Sequence, residues 1–167
     1  TIHRIEMPVA NIDLFDWLYA QSDPTKIYWS GRDHEFTLAG IGLAKAFKSE
    51  NETDFSKLFS DVKNTLRNSS PKIKFYGGFK FDPQQPPASE WDIFANAAFF
   101  VPKYEIFKTQ TETRFVYNFE LSGSERETIQ SFEKSFENLN FGKSANADEI
   151  CCYTSREDIP KWDQWEQ

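Results

Sequence analysis

The sequence predicts an α+β fold: a mainly antiparallel sheet packed with two or three helices. Two stretches, Ile73 to Phe81 and Phe115 to Leu121, alternate apolar and polar residues with the period of a strand. A third, Phe55 to Leu66, repeats its apolar residues with the period of a helix. These elements follow no βαβα alternation, which argues against a doubly wound parallel sheet. At 167 residues the chain can build one sizeable core, and residues 1–167 are read as a single domain.

In chain order, the first element is a short helix. Asn11 is its expected N-cap, Ile12, Phe15 and Leu18-Tyr19 recur at helical spacing, and Asp23-Pro24 turns the chain. Ile27 to Ser30 reads as a strand. After a turn from Gly31 to Glu35, a second strand runs through Phe36, Leu38, Gly40 and Gly42. In the next helix Phe55, Leu58, Phe59, Val62 and Leu66 form one stripe, and Asn68-Ser69-Ser70-Pro71 stops it. Ile73, Phe75, Phe79 and Phe81 then share one face of a strand, with Gly77 in the gap. Lys72, Lys74, Tyr76, Lys80 and Asp82 alternate onto the other face.

A Pro-rich loop (Pro83, Pro86, Pro87) leads to a hairpin or meander, Phe99 to Phe107 and Phe115 to Leu121. Pro102 cannot donate to a ladder, so the first of these strands is expected at an edge or to start there. Ser124 and Glu127 form a capping box for a last helix, with Ile129, Phe132, Phe136 and Leu139 on one face. Ile150 to Thr154 reads as a final strand.

Charge narrows the partners. With 19 basic against 26 acidic residues the net charge is −7, which opposes binding to nucleic acid or to an anionic membrane surface. No apolar run approaches the roughly 20 residues of a membrane span. Cys151 and Cys152 are neighbours in sequence; a bridge between them would close a strained small ring. Free thiols in a reducing compartment, and hence a cytoplasmic location, are expected.

The residues alone name no active site. Gly40-Ile41-Gly42 before a helix would suggest a dinucleotide loop, but the fingerprint needs a third small residue where this chain has Lys45. His3 and His34 are far apart, and the carboxylates are scattered, so no metal ligand set emerges. No Gly-x-Ser-x-Gly elbow is present. Gly77-Gly78 marks either a site where backbone meets ligand or a place where a neighbour occupies the missing side chain's space. Arg32, after an aromatic strand and a glycine, is suited either to clamp a carboxylate or to fix its turn by an ion pair.

Three ordered motifs carry a family resemblance: Tyr28-Trp29-Ser30-Gly31-Arg32, Ala39-Gly40-Ile41-Gly42, and Phe75-Tyr76-Gly77-Gly78-Phe79-Lys80-Phe81-Asp82. Together they resemble the N-terminal part of chorismate-utilising enzymes, most of all the isochorismate synthases of menaquinone and phylloquinone biosynthesis. Trp91, Phe94, Phe99-Phe100 and Val101-Pro102 continue the pattern, and Arg156, Pro160, Trp162 and Trp165 extend it to the end of the chain. The signature positions are read as structural: Tyr28, Trp29, Arg32, Ala39, Gly40, Gly42, Phe75, Gly77, Gly78, Phe79, Phe81, Asp82, Trp91 and Pro102.

The resemblance implies a parent enzyme that converts chorismate to isochorismate with Mg²⁺, using a lysine base, a glutamate acid and further glutamates on the metal. None of those positions falls in this chain, which is expected to be an inactive, cofactor-free scaffold for a missing C-terminal catalytic region. The Leu-Leu-Glu-Ser element by which anthranilate synthases bind tryptophan is absent. A scaffold cut from its partner should expose apolar surface; Phe79, Phe99 and Phe115 are the expected contributors, with a non-native dimer as one consequence. Two alternatives stay open. One is the same region of a salicylate, aminodeoxychorismate or anthranilate synthase; the other is a non-enzymatic small-ligand or interaction module.

Overall fold

Strands and helices follow one another as β1 (Ile2–Pro8), α1 (Leu14–Ala20), β2 (Lys26–Ser30), β3 (Phe36–Ser49), α2 (Phe55–Arg67), β4 (Tyr76–Phe79), β5 (Ala97–Thr109), β6 (Thr113–Glu120) and α3 (Glu125–Glu137). The computed structural model describes residues 1–32, 35–49, 55–80, 95–121 and 125–141, with backbone alone at 125–128, 131 and 135. His34, Phe81, Asp82, the Pro-rich loop, Trp91, Phe94, Ser124, the cysteine pair, the expected final strand and the closing Arg156–Trp165 motif lie outside these residues.

The strands form one antiparallel sheet in the order β1-β6-β5-β3-β2. This is the α+β architecture that the sequence predicts, with three helices. β5 is its axis. β3 accompanies it from Ser49↔Ala97 to Phe36↔Thr109. On its other side β4 pairs with Ala97–Phe100 and β6 with Tyr104–Lys108, one after the other.

The expected alternation in β6 places Phe115 and Tyr117 in the main core. They join Ala39 and Ile41 of β3, Tyr104 and Ile106 of β5, and Leu14, Trp17 and Leu18 of α1. Phe132, Phe136 and Leu139 from α3 and the residues after it pack against this group, as their shared face predicts, whereas Ile129 is half-exposed. Phe115 is wholly buried, in edge-on contact with Phe136 (5.1 Å between centroids) and Phe141 (5.8 Å). A smaller core of Ile2, Ile73 and Val101 lies near the α2 end of the sheet.

Five local expectations are corrected. The N-cap of α1 is Asp13, not Asn11: its carboxylate accepts from the N–H of Phe15 at 2.9 Å and of Asp16 at 3.0 Å. Starting at Leu14 puts Leu14, Trp17 and Leu18 at i, i+3 and i+4 on the core, so Phe15 and Tyr19 fall outside the stripe and are exposed.

No helix follows the Gly-x-Gly run. β3 continues to Ser49, because Gly42 takes a φ of +63° and a bulge between Leu43 and Lys45 restores the ladder. Pro102 lies inside β5, not at an edge. It pairs with Leu43 beside the bulge, where a missing N–H is tolerated, and its carbonyl accepts from Asn118 Nδ2 at 2.9 Å.

β4 is only four residues long, so the alternation expected from Ile73 breaks down. Within it Tyr76 is buried and Phe79 is 62% exposed, on opposite faces, although Ile73 before it is buried like Tyr76. Lastly, β1 is a strand that the sequence reading does not include: Ile5 and Met7 pack on the main core, and Arg4 and Glu6 occupy inward positions on the second face of the sheet.

Candidate functional site

Alternation along β1, β5 and β6 sends Arg4, Glu6, Glu105, Phe107, Arg114 and Asn118 to the sheet face opposite the main core. Charged groups there would be costly without partners, and each has one. Glu105 and Asn118 are about 1% and 0% exposed. Arg4 donates from Nη1 to Glu105 Oε2 at 2.9 Å and to Asn118 Oδ1 at 3.3 Å, and from Nε to Glu6 Oε1 at 2.6 Å. Asn118 Nδ2 also donates to Glu105 Oε1 at 2.6 Å. Lys72 reaches the outer oxygen of Glu6 at 2.8 Å, and Arg114 pairs with Glu112 at 2.8 Å.

The segment from Pro71 to Tyr76 passes over part of this network and leaves a cavity of about 370 Å³. Arg4, Glu6, Lys72, Lys74, Tyr76, Phe107, Glu112 and Arg114 are among its lining residues. The ammonium of Lys74 stands 3.8 Å from the centroid of Phe36 and 5.5 Å from that of Phe107, two rings that stack on each other at 5.4 Å. The electrostatics are uneven. Burial pushes the Glu105 carboxyl up, opposed by the charge and hydrogen bond of Arg4. Burial also acts on Glu6, but hydrogen bonds from Lys72 and Arg4 outweigh it and hold that carboxyl below its ordinary value. Burial, with the charge of Glu105, raises the Tyr76 hydroxyl well above its ordinary range, so it remains a proton donor.

None of the described signature residues is among those named as lining this cavity. Tyr28 and Trp29 are half-exposed on the edge strand β2. Tyr28 stacks on Phe15 at 4.3 Å, and Trp29 leans on Tyr76 at 5.8 Å. Arg32 is exposed, and no ion pair joins its side chain to another described residue. Ala39 is in the main core. A Cβ on Gly40 would stand 2.8 Å from the Pro102 ring and 2.9 Å from Ile27, which ties two signature positions into one packing contact. Phe75 is half-buried against Phe47 at 5.7 Å. At Gly77 a Cβ would meet the Ala98 carbonyl oxygen at 1.9 Å, so β4 can approach β5 there only without a side chain. Nothing lies within 4 Å of the corresponding point on Gly78.

The polar network itself escapes the sequence reading. Its signal is faint: Glu105 and Asn118 each interrupt an otherwise aromatic and aliphatic strand run. Among the described residues no three His, Cys, Asp or Glu side chains converge to hold a metal ion. Glu105, the most buried carboxylate, is already engaged by Arg4 and Asn118, so these residues do not fit a Mg²⁺ site. No described helix is long and apolar enough to cross a membrane.

This fold and these motifs define a class. The chorismate binding enzyme family matches residues 1–167, and the chain belongs to that family. Among curated proteins it is 28% identical over 142 residues to an isochorismate synthase, chloroplastic, of Catharanthus roseus, covering 62% of this chain and 24% of that protein. It is 31% identical over 126 residues to isochorismate synthase 2, chloroplastic, of Arabidopsis thaliana, covering 62% of this chain and 22% of that one. Among solved structures it superposes on MenF, the menaquinone-specific isochorismate synthase from Escherichia coli, with a TM-score of 0.59 at 17% identity. That superposition covers 86% of this chain and 30% of MenF. The chain thus spans about a quarter of the length of the curated relatives it matches.

Proposed function

We propose that this chain is the N-terminal scaffolding region of an isochorismate synthase that serves menaquinone or phylloquinone synthesis in a reducing, cytoplasmic compartment. The observation that carries the reading is the pairing of a family match along 1–167 with coverage of only 24% and 22% of two isochorismate synthases. In that reading the parent turns chorismate into isochorismate with Mg²⁺, which neutralises the dianionic substrate while a base and an acid act on its ring. In this reading the metal ligands and the paired base and acid belong to other residues of the parent. Here the chain supplies a sheet.

Its surface supports that role. Phe59 and Phe79 are 45% and 62% exposed, and they form an aromatic group with Phe55 and Phe99 at the α2–β4 end. Of the aromatics expected to contribute, Phe79 is exposed and Phe99 half-buried, whereas Phe115 lies in the core. The proposed occupant of this apolar group is the catalytic region of the same enzyme.

The test is to express the complete reading frame, incubate it with chorismate and Mg²⁺, and identify the product by liquid chromatography, with the 167-residue chain run in parallel. Isochorismate from the complete product and none from the chain alone is the expected result. Salicylate with pyruvate, or an aminated product, would move the parent to a sibling enzyme. Turnover by the isolated chain would overturn the scaffold reading.

A further inference from the structure

The cavity beneath Pro71–Tyr76 carries more positive charge than its own partners balance. Arg4 is offset by Glu105, which leaves Lys72, Lys74 and Arg114 against two carboxylates, Glu6 and Glu112. Glu105, beneath it, is committed to Arg4 and Asn118. The excess is local, because the chain as a whole carries −7.

Two lining residues, Lys74 and Tyr76, also offer donors that no described acceptor uses, and a third, Arg114, keeps one that is sealed from the cavity. Lys74 faces the aromatic rings of Phe36 and Phe107, and no carboxylate or carbonyl accepts from its ammonium. The Tyr76 hydroxyl makes no hydrogen bond to another described residue and keeps its proton. Arg114 has a buried Nε with no partner, although its Nη atoms are paired.

We propose that this cavity binds a small organic carboxylate. The oxygens are held by the Lys74 ammonium and the Tyr76 hydroxyl, and the carbon body lies on the apolar wall made by Phe107 and Pro71. The contact of Lys74 with Phe36 positions the ammonium without consuming its N–H groups, since a ring face attracts charge but is a weak acceptor. The site lies on the sheet face opposite the main core and does not depend on which reaction the parent performs.

The probe is benzoate, titrated into the ¹⁵N-labelled 167-residue chain, with matched titrations of inorganic phosphate and sodium chloride. Saturable amide shifts at Lys74, Tyr76 and Phe107 are expected, with phosphate weaker because it lacks an apolar body, and chloride inert at equal ionic strength. K74M should weaken benzoate roughly tenfold, the loss of one charged hydrogen bond, while K74R restores most of the affinity. Lys74 is exposed and makes no hydrogen bond to the Arg4–Glu105–Asn118 network, so both variants should keep the wild-type spectrum away from Phe36, Phe107 and Glu105. Shifts that do not saturate, that chloride reproduces, that phosphate matches or exceeds, that K74M leaves unchanged, or that map to another face would overturn the proposal.

Discussion

Replacing Arg4 by methionine tests the buried polar network most directly. The substitution keeps the aliphatic stem and removes the guanidinium that serves Glu6, Glu105 and Asn118. The side chains of Arg4 and Glu105 are 6% and 1% exposed, so the substitution leaves a buried carboxylate without its charged partner. Breaking such a pair from one side typically costs about 3–5 kcal/mol. In a domain of this size that is a fall in Tm of about 6–20 °C.

The pH dependence gives the signature. Without Arg4 the Glu105 carboxyl, which burial already raises above its ordinary 4.5, climbs further. A carboxyl whose pKa is raised by folding binds more protons in the native state, so stability falls as pH rises from the ordinary value through the folded one. The deficit of R4M should therefore be largest at neutral pH and shrink as pH falls towards about 5. Glu6 acts in the opposite sense, since its lowered pKa gives stability that is lost as pH falls below its ordinary 4.5; the comparison is cleanest above that value. Urea unfolding followed by tryptophan fluorescence measures both. A deficit under about 1 kcal/mol at neutral pH, or one equal at every pH, would refute the idea that this pair is buried and coupled.

Three further pairs of substitutions probe the fold. G77A should cost about 2 kcal/mol or more and G78A under about 1, because a Cβ strikes the Ala98 carbonyl in the first case and meets open space in the second; thermal melts of the pair decide it. D13A should destabilise by about 1 kcal/mol through loss of the α1 cap, whereas N11A should be close to neutral by the same denaturant assay. F115A should cost about 3–5 kcal/mol and F79A under about 1 in chemical unfolding, which separates the buried aromatic from the exposed one.

The antiparallel α+β class was legible because β6 and α2 carry clean periods, and each period has one dominant apolar face. Periodicity says nothing of a second face that buries polar groups. In β1 the inward residues Arg4 and Glu6 look like solvent positions, and only their partners at Glu105 and Lys72, remote in sequence, make them internal. It failed at Pro102 and Gly42, where a bulge lets a proline and a left-handed residue sit within long strands that local rules would have ended. The family was legible because the ordered set of Trp29, Gly40, Gly77 and Pro102 reflects contacts between residues distant in sequence: Gly40 on Pro102, Gly77 on Ala98, Trp29 on Tyr76. The cavity was not, because its cations come from β1, β6 and the segment before β4, which only the folded chain brings together.

The pairing of β1 with β6 has a kinetic consequence. Residues 2–8 find their partners only at residues 114–120, so the ladder that houses Arg4 closes a loop of more than a hundred residues. Such a closure is entropically slow and comes late, after β5 and β6 have formed the local hairpin that supplies the docking edge. During synthesis the first strand must therefore wait, unpaired, until Glu120 has emerged. Its charged inward positions suit that interval, because Arg4 and Glu6 leave an edge that is poor material for pairing with another nascent chain.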